Sequence, residues 1–391
     1  MQEQFDFDKI VDRRGSNALK HDALEARYGD AGLIPLWVAD MDFETPPFIV
    51  EALRERLDHP LFGYTMEPPG YWPSVIRWLK ERHAWEVKPE WLSYIPGIVK
   101  GIGMVINVFT REGEKVIIQP PVYHPFRLVP AGNGREVVYN PLRLAGDRHE
   151  MDLEQLERVI DDRCKLLILS NPHNPGGTMW DRQTLAALAD ICERHGILVI
   201  SDEIHADMGL HGRKHVPFMT ASGSAARVSI TFGAPSKSFN IAGIVSSFAV
   251  VPDDAIRRRF YSWLEANEFN EPTIFATIAT EAAYTRGAAW LEQMLAYVEG
   301  NVDLVDRYLR ERIPAIRVIK PQASFLVWLD CRGLGLGHDA LVDLFVKKAR
   351  LALNDGEMFG PGGEGFMRVN VGTARPVLIQ ALRQLESAVS R

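Results

Sequence analysis

Between residues 116 and 251 the chain repeats one pattern, and that pattern constrains the fold more than any other feature. Short β-rich apolar runs occur at Val116–Gln119, Lys165–Ser170, Ile197–Ser201, Val228–Phe232 and Val245–Val251. They are too short for helices of ordinary length. They are apolar almost throughout rather than at alternate positions, as strands covered on both faces are. From Asp181 to His195 the period changes. Leu185, Leu188, Ile191 and Cys192 fall on one helical face, Asp181 is placed to cap, and Gly196 stops the helix. Strand, helix, strand at this spacing means βαβ units and a mostly parallel sheet, an α/β fold.

With 391 residues the chain exceeds one simple core, so two domains are expected. The texture changes after about residue 265. Helical patterns run through Arg312, a strand is expected at Ser324–Leu329, and further helical runs start near Asp339 and Pro376. We expect a large domain over 46–285. A smaller α+β domain is expected from 286–391 together with the turn-rich residues 1–45. The net charge of −7, with no basic tract, argues against nucleic acid or an anionic membrane as main partner. Cys164, Cys192 and Cys331 lie far apart without metal-ligand spacing, and read as reduced, partly buried thiols of a cytoplasmic protein. The acidic run Met1–Lys9 has no apolar core of a signal peptide, and no apolar stretch is long enough to span a bilayer.

Several polar residues fall where such a sheet gathers ligands, at the carboxyl ends of strands. Asp202 ends the run Ile197–Ser201, followed by Glu203 and His205. A lone strand-end aspartate serves equally as a helix cap, but three polar groups leaving one buried strand together are costly unless they serve a site. Lys237 lies among small and hydroxyl residues in Ala234-Pro-Ser-Lys-Ser-Phe-Asn240. Such a lysine, downstream of such an aspartate, is the pairing that pyridoxal phosphate requires. The amine holds the aldehyde, and the carboxylate keeps the ring nitrogen protonated. Asn171-Pro-His-Asn-Pro-Gly-Gly177 makes a rigid turn at the same sheet edge, with Asn174 able to donate to the ring oxygen. Gly97 opens a helical pattern whose first N–H groups suit a phosphate, with Ser236 able to add a hydroxyl. Tyr123 follows the strand Val116–Gln119 and is placed to stack on an aromatic ring, although a core tyrosine reads the same way. Arg368, in the alternating run Gly365–Val371, suits a bidentate grip on a carboxylate or, equally, a solvated strand position.

Taken together these motifs resemble the fold-type I pyridoxal-phosphate enzymes of the class I/II aminotransferase superfamily, and within it the MalY/PatB-type cystathionine β-lyase (C–S lyase) subgroup. The resemblance runs over nearly the whole chain. It is carried by Asp12-Arg-Arg-Gly-Ser-Asn17, Leu36-Trp-Val-Ala-Asp-Met-Asp-Phe43, Phe62-Gly-Tyr-Thr65, Tyr71-Trp-Pro-Ser-Val75, Ser201-Asp-Glu-Ile-His-Ala-Asp207 and Ala234–Gly243. It implies a mostly parallel seven-stranded sheet between helices plus a smaller α+β domain. It implies that Lys237 holds the cofactor and moves protons, that Asp202 pairs with the ring nitrogen and Asn174 with the ring oxygen, and that Tyr123 stacks. Ile98, Val99, Ser236 and His205 would also contact the cofactor, and Arg368 would hold the substrate carboxylate. Tyr64 would reach the phosphate of the other subunit in a homodimer with shared active sites. The chain departs from the wider superfamily at His205, where many members have tyrosine, and at Val245, where many have arginine. It also has Ala374 where the subgroup's ending has proline. The implied reaction is α,β-elimination from L-cystathionine or a related S-substituted cysteine, giving a thiol, pyruvate and ammonia. Transamination by the same residues is the alternative. A regulatory protein that binds a transcription factor is the alternative of another class.

Overall fold

The computed structural model describes residues 4–390, so Met1–Glu3, the start of the acidic N-terminal run, lie outside it. A seven-stranded sheet forms the centre of the chain. Its strands are β1 (Leu92–Ile95), β2 (Lys115–Ile118), β3 (Glu136–Tyr139), β4 (Cys164–Ser170), β5 (Leu198–Asp202), β6 (Ser229–Gly233) and β7 (Ser247–Val250). Their spatial order is β1-β7-β6-β5-β4-β2-β3. The ladders β3–β2, β2–β4, β4–β5 and β5–β6 are parallel, and β7 runs antiparallel to both its neighbours. The five expected runs all became strands, and the inner ones are buried on both faces because helices cover both sides of the sheet.

The connections follow from local chemistry. The helix α1 (Ile98–Phe109) starts after Gly97, whose φ of 105° only glycine adopts without strain. The helix α2 (Arg182–Arg194) is capped by Asp181, whose carboxylate accepts from Thr184 N–H at 2.8 Å, and Gly196 ends it in the left-handed region.

Past the sheet, the helix α3 (Ala288–Arg312) leads into a four-stranded antiparallel sheet. Its strands are β8 (Arg317–Ile319), β9 (Leu326–Asp330), β10 (Asn354–Asp355) and β11 (Phe366–Asn370), in the order β8-β9-β11-β10, and the helix α4 (Arg375–Val389) follows. The opening segment packs here, with Ile34–Pro35 pairing in parallel with Leu351–Ala352. The largest apolar cluster joins both regions. It holds Phe248 and Val250 of β7, Met294 and Val302 of α3, Val327 and Leu329 of β9, and Leu382 of α4. The helical run expected from Asp339 is shorter than its pattern suggests. An α-helix over His338–Asp343 opens into a wider π turn at Leu344–Lys348.

Candidate active site

At the carboxyl ends of the parallel strands lies a cleft of about 280 Å³ lined by Ile98, Val99, Tyr123, Asn174, Asp202, His205, Ser236 and Lys237, among others. Eight of the expected site residues therefore meet in one place, although they come from widely separated parts of the chain.

Asp202 is the last residue of β5, and its side chain accepts one hydrogen bond, from Ile204 N–H at 3.1 Å. Burial raises its pKa to about 6, against the pull of Ile204 N–H and Lys237. Lys237 follows β6, the next strand in the sheet. Its amine donates to the Ala39 carbonyl. Burial lowers its pKa to about 8, opposed by Asp40 and Asp202 and reinforced by Arg368. The loop that carries the lysine is fastened on both sides. Ser238 Oγ donates to Asp207 at 2.8 Å, and the Asn240 amide donates to the carbonyls of Met41 at 3.0 Å and Phe43 at 2.7 Å. The motifs around residues 36–43 and 234–243 thus form one structural unit.

That unit is braced from behind by charge. Arg13 bonds Asp40 at 2.7 Å and Asp42 at 2.8 Å, while the fully buried Lys20 bonds Asp42 at 2.8 Å. Burial alone would raise the Asp42 carboxyl. Lys20, His21 and Arg13 outweigh it and hold the group well below the usual carboxylate range.

The Asn171–Gly177 turn places Asn174 between two partners. Its carbonyl accepts from Tyr123 N–H at 3.1 Å, and its side-chain Oδ1 accepts from Arg368 Nη1 at 3.0 Å. That bond commits Oδ1 as an acceptor and leaves the NH₂ of the same amide as the side chain's donor, on a residue that lines the cleft. Arg368 comes from β11 and is buried behind the cleft wall rather than lining it. It also donates to the Trp37 carbonyl at 3.0 Å and to Asn354 Oδ1 at 2.6 Å, while its Nε has no partner. The surface reading of this arginine is excluded. Burial lowers its pKa to about 10, which leaves it charged at neutral pH.

No side chain caps the start of α1, so the first-turn N–H groups at Ile98 and Val99 have no intrahelical partner, and both residues line the cleft together with Ser236. Sequence reasoning missed Ser246 there. Its hydroxyl is buried, lines the cleft and has no partner. Val245 takes a left-handed φ of 58°, which is costly for a β-branched residue, and its carbonyl accepts from the Tyr94 hydroxyl at 3.0 Å. His205 lines the cleft with Nδ1 unpartnered, and burial, then Lys237 and Arg368, lower its pKa to about 3. Burial raises the Tyr123 hydroxyl.

Two expectations need correction or restatement. Glu203 does not serve the cleft with Asp202 and His205. Its carboxylate accepts from His215 Nε2 at 2.7 Å, Phe218 N–H at 2.8 Å and Ser201 Oγ at 2.9 Å, so the burial cost is met by structural bonds. Tyr64 is fully exposed and does not line the cleft of its own chain.

This geometry matches that of known proteins. Cystathionine beta-lyase PatB of Bacillus subtilis is 41% identical, over 98% of this chain and all of that protein. The crystal structure of cystalysin from Treponema denticola, which contains a pyridoxal 5'-phosphate cofactor, superposes with a TM-score of 0.95 at 31% identity over 99% of both chains. The PLP-bound C–S lyase from Staphylococcus hominis superposes with a TM-score of 0.93 at 30% identity, over 100% of this chain and 99% of that one. Residues 31–385, which carry the cleft and both sheets, match the aminotransferase class I and II family, and the chain belongs to it.

Proposed function

We propose that the protein is a pyridoxal-phosphate-dependent C–S β-lyase that eliminates a thiol from L-cystathionine or a related S-substituted cysteine. The observation that carries the reading is the pairing, in one buried cleft, of an amine with a lowered pKa and a carboxylate with a raised one, Lys237 and Asp202. The residues suit the cofactor at each of its polar ends. The N–H groups of Ile98 and Val99, with Ser236 and the unpartnered Ser246 hydroxyl, would hold the phosphate. The Asp202 carboxylate would hold the ring nitrogen in its protonated form. The NH₂ of Asn174, oriented by Arg368, would donate to the ring oxygen, and His205 would border the ring. Tyr123 would stack on the ring face.

When bound, the cofactor supplies an electron sink for the pair left at the substrate α-carbon. The chain supplies the rest. Arg368, whose Nε has no partner among the described residues, would orient the α-carboxylate. Lys237, with a pKa of about 8, is poised near neutral pH to take the α-proton and return it elsewhere. A thiolate then leaves from the β-carbon, and the aminoacrylate released is hydrolysed by water to pyruvate and ammonia. The relatives named above for cystathionine and C–S lysis support elimination over transamination within the same family.

We further place the enzyme in the cytoplasm as a homodimer, with Tyr64 reaching the phosphate end of the partner's cleft. Leu61, Phe62 and Met66 support this, because they are exposed beside Tyr64 and form an apolar stretch that a second copy would cover. The test is release of pyruvate and thiol from L-cystathionine with no keto acid present. Lys237→Ala should abolish it while the protein still folds. Amino-group transfer to an added keto acid without pyruvate release would replace this reading with the aminotransferase one.

A further inference from the structure

Behind the cleft, the chain neighbours of Lys237 and Asp202 are tied to a second layer of buried polar groups. Asp207 lies on the short turn Ala206–Met208 that follows β5, and it is buried. One oxygen of its carboxylate accepts from Trp78 Nε1 at 2.9 Å and from His83 Nε2 at 2.8 Å, and the other accepts from Ser238 Oγ at 2.8 Å. Its main-chain carbonyl accepts from Arg82 Nη2 at 3.0 Å. Trp78, Arg82 and His83 all belong to the helix Tyr71–His83, whereas Ser238 is the residue after Lys237. One buried carboxylate therefore joins that helix to the main chain of the lysine. Burial alone would raise the Asp207 carboxyl, but His83, Arg82 and Trp78 outweigh it and hold the group below its ordinary value, so it accepts these bonds as an anion. The next residue, Phe239, is buried against the rings of Trp78 at 5.7 Å and Trp290 at 6.1 Å. His83 also meets a second pair. Its ring stands edge to face on that of His215, with centroids 5.5 Å apart, and His215 bonds Glu203, the neighbour of Asp202. The residue beside the lysine and the residue beside the aspartate are thus each held by a carboxylate and a histidine, and the two histidines are in contact.

A lysine carries its amine on a flexible four-carbon stem, so the amine is placed only as well as the main chain that bears it. We propose that Asp207 is a positioning residue for Lys237: through Ser238 it anchors the lysine's main chain to the helix Tyr71–His83 and holds the amine where the cofactor's aldehyde meets it. The inference rests on the lyase reading for its cofactor and goes beyond it, since Asp207, Ser238 and His83 stand outside the residues that line the cleft.

The test compares pyridoxal phosphate with pyridoxamine phosphate. The first condenses with the Lys237 amine, forming a C=N bond and releasing water. The second carries an amine at that carbon and cannot condense, but offers the same ring and phosphate. The full-length protein, freed of cofactor, is titrated with each compound, and the ratio of the two affinities is read. S238A removes the hydroxyl and leaves Trp78 and His83 their acceptor. It should weaken pyridoxal phosphate by about tenfold, the worth of a hydrogen bond to a charged group, and leave pyridoxamine phosphate unchanged. D207N also keeps an acceptor for Trp78 and His83 but turns a neutral amide towards Ser238. It should lower the same ratio by less, and should lower it no further when added to S238A. If Asp207 served only to support the helix, its loss would weaken both compounds alike. A ratio that S238A leaves intact therefore overturns the proposal, and so does a D207N loss that multiplies with that of S238A. Both results leave the lyase reading standing. A native protein that binds neither compound overturns the cofactor reading itself, and this proposal with it.

Discussion

Replacing Asp202 by asparagine should make the cofactor-free protein more stable and the enzyme worse. The carboxylate is only 8% exposed and has one hydrogen-bond donor, Ile204 N–H. Burial lifts its pKa from 3.8 to about 6. At about 1.36 kcal/mol per pH unit, keeping this group ionised in the folded chain costs roughly 3 kcal/mol. The sign follows from the direction of the shift. Below pH 3.8 the group is protonated in both folded and unfolded chains, and there is no penalty. The penalty grows through the window up to about 6 and is complete above it. Asparagine retains an acceptor for Ile204 and carries no charge, so it removes the penalty. Thermal or urea unfolding of cofactor-free Asp202→Asn should therefore show a gain of roughly 2–3 kcal/mol over wild type at pH 7.5 that fades as the pH falls through that window. Saturating cofactor should reverse the order. Wild type gains from binding, and the amide cannot hold the ring nitrogen protonated, so the variant binds less tightly and loses most of its turnover. A difference that does not vary with pH, or a cofactor-free variant less stable than wild type, would refute the electrostatic reasoning.

Other substitutions probe other parts of the site. Arg368→Lys should raise KM strongly for every amino-acid substrate, because one ammonium cannot serve the Asn174, Trp37 and Asn354 acceptors and still present a fork; steady-state kinetics with cystathionine would show it. Tyr64→Phe should weaken cofactor retention. Mixed with Lys237→Ala it should recover roughly half the activity per dimer, since one of the two shared sites escapes both changes; a properly mixed heterodimer that stays inactive would remove Tyr64 from a shared site. Lys20→Met should destabilise the fold by about 3 kcal/mol in urea unfolding, because it strips a buried partner from Asp42. That deficit should narrow below pH 3.8, where wild type loses the stability that its depressed Asp42 carboxyl contributes.

What the sequence disclosed depends on how much of an element's environment is uniform along it. β2, β4, β5 and β6 are covered on both faces, so an unbroken apolar run marks them. The antiparallel sense of β7 left no such mark, since burial does not record direction. β1 and β3 escaped the pattern as four-residue strands at the two edges of the sheet, and β3 is only partly covered. β8 and β10 are two or three residues long, too short to carry a period. The site was legible where a residue's chemistry is rare in its setting, as for Lys237, Asp202 and Asn174. It was misread at Glu203, because a burial cost shows that a polar group has partners without showing which ones. Ser246 went unseen because one hydroxyl at the start of a strand carries no signal until its unpartnered oxygen is found at the cleft. Arg368 could not be resolved from its alternating run, since burial of the guanidinium depends on Trp37, Asn174 and Asn354, which come from three other segments.

The apolar cluster that joins β7, α3, β9 and α4 has a mechanical consequence. A hinge needs a surface along which two bodies can part, and a polar or watered seam supplies one. Here the side chains of Phe248, Val302, Val327 and Leu382 belong to one continuous interior. Opening a gap between the sheets would expose that interior to water at about 25 cal/mol for every Å² of apolar surface. Wide rigid-body swings of the small sheet are therefore expensive. Adjustment around a substrate is left to the parts outside the cluster.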